Sequence, residues 1–374
     1  MPAGCSRGAG RTAAALASAL WLALVLAGCA TRAPDPGDGA TAAAPATPSA
    51  TLPAAPDPRP EAAGSWPQAA GQVLGRNDRL LLYRPAAGDS WSGIAARFLQ
   101  SAERGWQIAD ANDLAQPQPG VPLIVPLRAL NPLGILPDRT LQTVPILCYH
   151  RLGPSTSKMV TAPAAFEAQM TWLVRNGYRV VRLADVAAFL AGEQGLPQRA
   201  VVVTFDDGYE SVHRHAFPVL KKLGIPATVF VYTDFLGGGD ALTWPQLQDL
   251  QASGLVDIQS HSKSHRNLVE RRAGEGDDRY RANLEAEMRV PRDVLEKRLP
   301  QQKVRHLAYP FGDANEQVTD AAARAGFELA ATVVPGGNAF FAQPLLLRRT
   351  MIFGDMNLDA FKARVQVVRP FQAP

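Results

Sequence analysis

The segment Val201-Val202-Val203-Thr204-Phe205-Asp206-Asp207-Gly208-Tyr209 constrains this chain more than any other. An apolar, β-branched run ends abruptly in two adjacent carboxylates and a glycine. Such a run, bounded by a turn residue, reads as a buried strand of a parallel sheet. The acids then sit where the strand leaves the sheet, the end at which α/β folds bind their ligands. Adjacent carboxylates repel unless a cation or a shared proton relieves them, so the pattern points first to a metal.

A second strand-like run, residues 255–260, delivers His261-Ser262-Lys263-Ser264-His265. Histidines four apart face the same way in a helical turn. Two imidazoles with one carboxylate form a common three-ligand catalytic zinc set that leaves a position open for water. The chain has six histidines, and two of them fall in this window.

Thr204-Phe205-Asp206-Asp207-Gly208 and His261-Ser262-Lys263-Ser264-His265, in that order and each after a strand, resemble the first two motifs of the polysaccharide deacetylases. These are the family-four carbohydrate esterases, which share the nodulation-factor deacetylase homology domain. The resemblance implies an α/β fold, a distorted (β/α)7-8 barrel. It also implies that Asp207, His261 and His265 hold a divalent metal ion, zinc in the first instance, and that Asp206 is the general base. In the third motif, Leu307-Ala308-Tyr309-Pro310-Phe311-Gly312-Asp313 keeps the Pro-aromatic-Gly core, so the backbone amide of Phe311 is the implied oxyanion donor. Ala308 stands where the family places an arginine. Asp206 is then left without a guanidinium to tune it, unless Arg348 or Arg349 reaches in from the last strand.

The family's late Leu-x-His motif, the usual source of the general acid, is absent, because no histidine follows His306. His150 ends the strand read at 145–149. This arrangement resembles the exported deacetylases of poly-N-acetylglucosamine, whose acid histidine comes from the start of the domain. In a closed barrel the first strand can supply what the last one supplies elsewhere. His213 and His215 read as surface or rim residues.

Upstream of the domain the composition changes twice. Arg7 and Arg11 precede an apolar run over residues 13–27 that ends in Leu26-Ala27-Gly28-Cys29. This is the layout of a secretory signal, residues 1–29, and it resembles a bacterial lipoprotein box with Cys29 as the lipidated residue. Cys29 would tie the protein to a membrane, with outer-membrane sorting implied by Ala30. Residues 30–77 are read as a tether rich in Ala and Pro. Cys148 has no bridge partner left and sits in an apolar run, so it is expected as a buried thiol.

Residues 78–128 read as β-α-α-β. Gly88-Asp89-Ser90-Trp91, then Asn112, Gly120 and Leu123-Ile124-Val125-Pro126, resemble the lysin motif, a family that binds N-acetylglucosamine-containing glycans. Residues 129–142 form a connector and 143–374 the deacetylase-like domain. A net charge of +4 is mildly basic, and no basic aromatic patch suggests nucleic acid. The expected activity is metal-dependent removal of N-acetyl groups from an envelope or extracellular N-acetylglucosamine polysaccharide, either peptidoglycan or a poly-N-acetylglucosamine. O-deacetylation and an inactive glycan-binding scaffold are the alternatives. Export and lipid anchoring in the cell envelope, on the periplasmic face of the outer membrane, complete the expectation.

Overall fold

The computed structural model describes residues 71–136, 140–154, 157–365 and 368–370. The signal segment with Cys29, most of the expected tether and the end of the expected last helix lie outside the described residues.

The first elements are β1 (Gln72–Arg76), β2 (Leu80–Arg84), α1 (Trp91–Leu99), α2 (Gly105–Asn112) and β3 (Leu123–Pro126). The strands form a sheet in the order β1-β2-β3, and the helices close over a core that includes Leu81, Tyr83, Ile94, Ile108 and Val125. Ser90 caps α1 by accepting from the Gly93 amide. β1 corrects an expected boundary, since it lies inside the stretch read as tether. All five of its residues are exposed, so no alternation of burial marks it in the sequence. Backbone pairing with β2 holds it, with a register shift between Val73 and Gly75.

The larger body begins with β4 (Thr140–Gln142), β5 (Val144–Tyr149), β6 (Arg151–Leu152), β7 (Val160–Thr161), α3 (Pro163–Arg175), β8 (Arg179–Val180) and α4 (Leu183–Leu190). It continues with β9 (Ala200–Phe205), α5 (Phe217–Leu223), β10 (Ala227–Val231), α6 (Trp244–Ala252), β11 (Val256–Ser260) and α7 (Asp277–Arg298). Then come β12 (His306–Ala308), α8 (Glu316–Arg324), β13 (Leu329–Ala331), β14 (Gly337–Asn338), β15 (Thr350–Met351), α9 (Leu358–Arg364) and β16 (Val368–Pro370). Every residue of β5, β9 and β10 is buried, which is why these strands read as continuous apolar runs.

Parallel strands follow one another in the order β13-β12-β11-β10-β9-β5. β15 then pairs parallel to β5. Just before β15, the Leu347 amide donates to the Ala330 carbonyl, and the Leu347 carbonyl accepts from the Thr332 amide. One short segment therefore joins the two edges of a curled sheet. Among the described residues the curled sheet has nine strands: these six, β15, β8 parallel to β9, and β14 antiparallel to β5. The stretch 345–351 reads from its residues as the last strand, but it includes part of a 3-10 turn at Pro344–Leu346 and only the two residues of β15. Its hydrogen bonds go to two different strands, so no continuous ladder can form.

Residues 212–223 read from the sequence as one helix, yet they divide into a π-helical turn at Val212–Ala216 and α5. Pro218 has no amide to donate to the Arg214 carbonyl, which breaks the α-helical ladder at that point. α7 buries Tyr280, Leu284, Met288, Pro291 and Leu295, a stripe at helical spacing on an otherwise charged helix. On α3, Phe166, Met170 and Leu173 are buried as their spacing requires.

Phe166 is fully buried, with its ring 5.2 Å from that of Tyr149 and 5.6 Å from that of Phe205. Those two residues end the strands that present His150 and Asp206. Phe166→Ala should lower the unfolding free energy by about 3–5 kcal/mol, measured by denaturant titration.

Candidate active site

The residues singled out in the sequence meet beyond the C-terminal ends of β5, β9, β11 and β12, joined by Arg349 from the N-terminal side of β15. His150 follows β5, Asp206 and Asp207 follow β9, His261 follows β11, Phe311 lies in the turn after β12, and Arg349 precedes β15.

Asp206 is buried and accepts two hydrogen bonds from Arg349, Nη1 to Oδ1 and Nη2 to Oδ2, each 2.7 Å. Arg349 is fully buried, and its Nε donates to the Thr332 carbonyl at 2.9 Å. The guanidinium missing at Ala308 is thus supplied by Arg349. Arg348 instead turns to the Pro335 carbonyl on the surface. Burial alone would push the Asp206 carboxyl up, but the charge of Arg349, aided by His261, holds it well below the usual carboxylate range. Asp206 is therefore ionised. Cys148, the expected buried thiol, donates its S–H to Asp206 Oδ2 at 3.4 Å.

Asp207, His261 and His265 form a second group, with one carboxylate oxygen and two ring nitrogens all within 4.8 Å of one another. His265 Nε2 lies 3.2 Å from Asp207 Oδ1, and His261 Nε2 lies 3.5 Å from it. Yet Oδ1 is buried and has no hydrogen-bond partner. His261 Nδ1 donates to the Ala308 carbonyl at 2.7 Å, which leaves a lone pair on Nε2. Burial lowers the His261 pKa, in keeping with a neutral ring. Two ring nitrogens that converge on an orphaned carboxylate oxygen make the donor set of a divalent cation, so these residues fit a zinc-type ion. His150 and Asp206 form a further cluster with Cys148, whose polar atoms also lie within 4.8 Å of one another.

The backbone is strained where these side chains are aimed. Asp207 (φ 73°), Ser262 (φ 69°), His265 (φ 57°) and Phe311 (φ 60°) are all left-handed, a region non-glycine residues seldom occupy. Gly312 must be glycine, because at φ 77° a Cβ would lie 2.6 Å from the Val333 amide nitrogen. The loop after β11 is pinned from α7, where Glu287 accepts from the Lys263 amide, the Ser264 amide and the Ser264 hydroxyl. Sequence reasoning missed Glu287. Its one signal is a carboxylate placed in the apolar stripe of α7, between Leu284 and Met288.

Aromatic rings border the site in an unbroken arc. Phe311 is 58% exposed, and its ring lies 4.9 Å from His265, which lies 5.1 Å from Tyr232. Tyr232 stacks on Phe235 at 5.0 Å, and Phe235 meets Tyr209 at 5.6 Å. His213 pairs with Asp249 on the helical surface, away from this arrangement.

Residues 193–330 match the polysaccharide deacetylase family. This segment carries the acid pair, the histidine pair and the Pro-aromatic-Gly turn. The chain contains a polysaccharide deacetylase domain. It is 29% identical over 226 residues to YxkH of Bacillus subtilis, covering 60% of this chain and 77% of that protein. It is 29% identical over 174 residues to the poly-β-1,6-N-acetyl-D-glucosamine N-deacetylase of Staphylococcus epidermidis, covering 45% of this chain and 59% of that protein. Against the Escherichia coli K12 protein of that name, the match spans only 36% of the relative. Among solved structures, IcaB from Ammonifex degensii aligns with a TM-score of 0.54 at 29% identity, covering 60% of this chain and 98% of that one. The deacetylase domain therefore has the family's curled α/β sheet, and both Arg349 and His150 lie outside the matched segment.

Breaking the Arg349–Asp206 pair leaves an uncompensated buried charge. Arg349→Met should lower stability by about 3–5 kcal/mol, whereas Arg348→Met should change it by no more than about 0.5 kcal/mol. Denaturant unfolding of the two variants checks the contrast.

Proposed function

We propose that the protein is a metal-dependent hydrolase that removes N-acetyl groups from N-acetylglucosamine units of an exported polysaccharide. One observation carries this reading: Asp207, His261 and His265 converge beside an Asp206 kept ionised by Arg349. A divalent ion held by those three residues supplies Lewis acidity and lowers the pKa of a water molecule. Asp206 accepts the proton of the attacking water. The Phe311 amide donates to the oxygen of the acetyl group as negative charge develops there. His150 gives a proton to the leaving nitrogen. The C–N bond breaks, and the products are acetate and the protonated amine, so atoms and charge balance.

Two observations favour a poly-N-acetylglucosamine. The relatives in Staphylococcus epidermidis and Escherichia coli are named for that activity. The acid histidine is also supplied by the first strand of the domain. The small sheet-and-helix unit at residues 72–126 supports peptidoglycan as the second reading, since it resembles a lysin motif. Acetate release from purified poly-β-1,6-N-acetylglucosamine, peptidoglycan and chitin oligomers decides between them, and no release from any of the three would refute the reading. Anchoring through a lipid on Cys29, in the envelope of a two-membraned bacterium, belongs to the same proposal.

The reading sets expectations for the metal, for proton transfer and for the anchor. His261→Ala and His265→Ala should lose metal and turnover together, read by elemental analysis and acetate release. Asp206→Asn and His150→Ala should keep the metal but lose about a hundred-fold or more in kcat. The His150 variant should lose more on an amide than on an acetyl ester, whose leaving group needs less protonation. Finally, Cys29→Ser should release the protein from the membrane fraction or block its maturation, visible on fractionation.

A further inference from the structure

The sheet of the small unit has two unlike faces. Leu81, Tyr83, Leu123 and Val125 turn inward under α1 and α2. Leu80, Leu82 and Ile124 alternate with them and turn outward, at 36%, 40% and 42% exposure. Leu82 stands directly opposite Ile124 in the pairing of β2 with β3. Val73 and Leu74 on the adjoining strand β1, and Val121 before β3, are similarly uncovered. Among the described residues, six of the fifteen exposed large apolar side chains thus belong to this one unit. Scattered exposed apolar residues are ordinary, but a cluster of them marks a surface that meets a partner.

Charge is divided between the same two sides. Residues 72–84 and 123–128, the strands with their turn, hold Arg76, Arg79, Arg84 and Arg128 against one acid, Asp78. Residues 85–122, the helices and their loops, hold Arg97 and Arg104 against Asp89, Glu103, Asp110 and Asp113. The helical side is already engaged, because Glu103 and Asp110 pair with Arg182 and Arg179 of the larger body, at 3.3 and 3.6 Å. On the sheet side, Arg128 Nη2 lies 3.5 Å from Asp78 Oδ2 with both side chains more than half exposed, and Arg84 donates to Gln72. Arg79 and Arg84 bracket the leucines of β2.

We infer that the outer face of this sheet docks on a phospholipid bilayer that carries anionic headgroups. Apolar side chains ringed by arginines gain from both parts of such a surface. The leucines enter the boundary of the acyl layer while the guanidiniums hold phosphates. Two other occupants suit the face less well. A second copy seated face to face would set these arginines against one another. The preceding chain, residues 30–70, has only Leu52 and Trp66 as large apolar residues, too few to cover six. This docking is independent of the deacetylase reading and of any lipid on Cys29. It would leave the larger body, attached on the helical side, standing away from the bilayer.

The test uses the chain from Ala30 onward, which keeps every described residue but lacks Cys29. It is sedimented with vesicles of phosphatidylcholine alone and of phosphatidylcholine mixed with phosphatidylglycerol. The protein should bind the mixed vesicles, and added salt should weaken that binding. Leu82→Thr, and Arg79→Gln combined with Arg84→Gln, should each lower the partition constant by about ten-fold. Leu346→Thr, at a leucine of like exposure outside the unit, should bind as wild type does. Circular dichroism checks folding, and Ile124→Thr replaces Leu82→Thr if that variant unfolds. Wild type that stays in the supernatant with both vesicles would overturn the docking surface, as would full binding in the sheet variants or an equal loss in Leu346→Thr. A lipid-free dimer that becomes monomeric in Leu82→Thr would also overturn it, since the face would then belong to a second copy.

Discussion

Arg349 and Asp206 are both withdrawn from water, and each would be untenable without the other. An ion taken out of solvent loses several kcal/mol of hydration, which only close and well-oriented partners return. Here the two carboxylate oxygens face the two terminal nitrogens of the guanidinium, and the remaining Nε is used by Thr332. The pair is electrically neutral as a unit, and it fixes Asp206 as an anion. Asp207 then has a permanently charged neighbour and cannot share a proton with it. Its own charge must be balanced from the other side, where the Nε2 atoms of His261 and His265 lie 3.5 and 3.2 Å from its Oδ1. A divalent cation meets that demand, and so the ion pair largely dictates what the neighbouring cluster is for.

The geometry around that cluster comes from the backbone as much as from side chains. Ala308 contributes its carbonyl, which selects the tautomer of His261. Glu287 gathers two amides and a hydroxyl of the loop that carries His265. Left-handed residues at Asp207, Ser262, His265 and Phe311 each store about 1–3 kcal/mol of strain. Such strain persists only where surrounding contacts over-determine the loop, and Glu287 on the rigid helix α7 is one such contact. The other left-handed non-glycine residues among the described ones, Gln100 and Asp113, follow α1 and α2, where helix ends favour that conformation.

The parts legible in the sequence were those with a local signature. The buried strands declared themselves as apolar runs, α1 by its cap, and α3 by the spacing of Phe166, Met170 and Leu173. The acid pair and the histidine pair could be placed at strand ends before any coordinates were known. Less visible were features whose cause lies far along the chain. β1 is exposed throughout and exists only through pairing with β2. Pro218 splits a helix that apolar spacing alone would make continuous. The last strand shrinks to two residues because its backbone serves two neighbours. Arg348 and Arg349 are indistinguishable as letters. Only the direction of the chain through 347–351 decides which one enters the core.

That same segment explains how two residues outside the matched family region come to serve it. β15 pairs with β5, with Met351 opposite Cys148, and the Ile352 amide donates to the Cys148 carbonyl. Cys148 and His150 are thus carried by the strand beside the one that delivers Arg349. The donor to the base and the candidate acid come from opposite ends of the domain, yet they occupy neighbouring strands. At its other end the segment is tied to β13 through Leu347, so its position depends on the whole curl of the sheet. Closing the sheet and completing the site are therefore one event. A chain lacking either end of the domain would retain the acid pair and the histidine pair but lose either the charge that keeps Asp206 ionised or His150, the candidate acid.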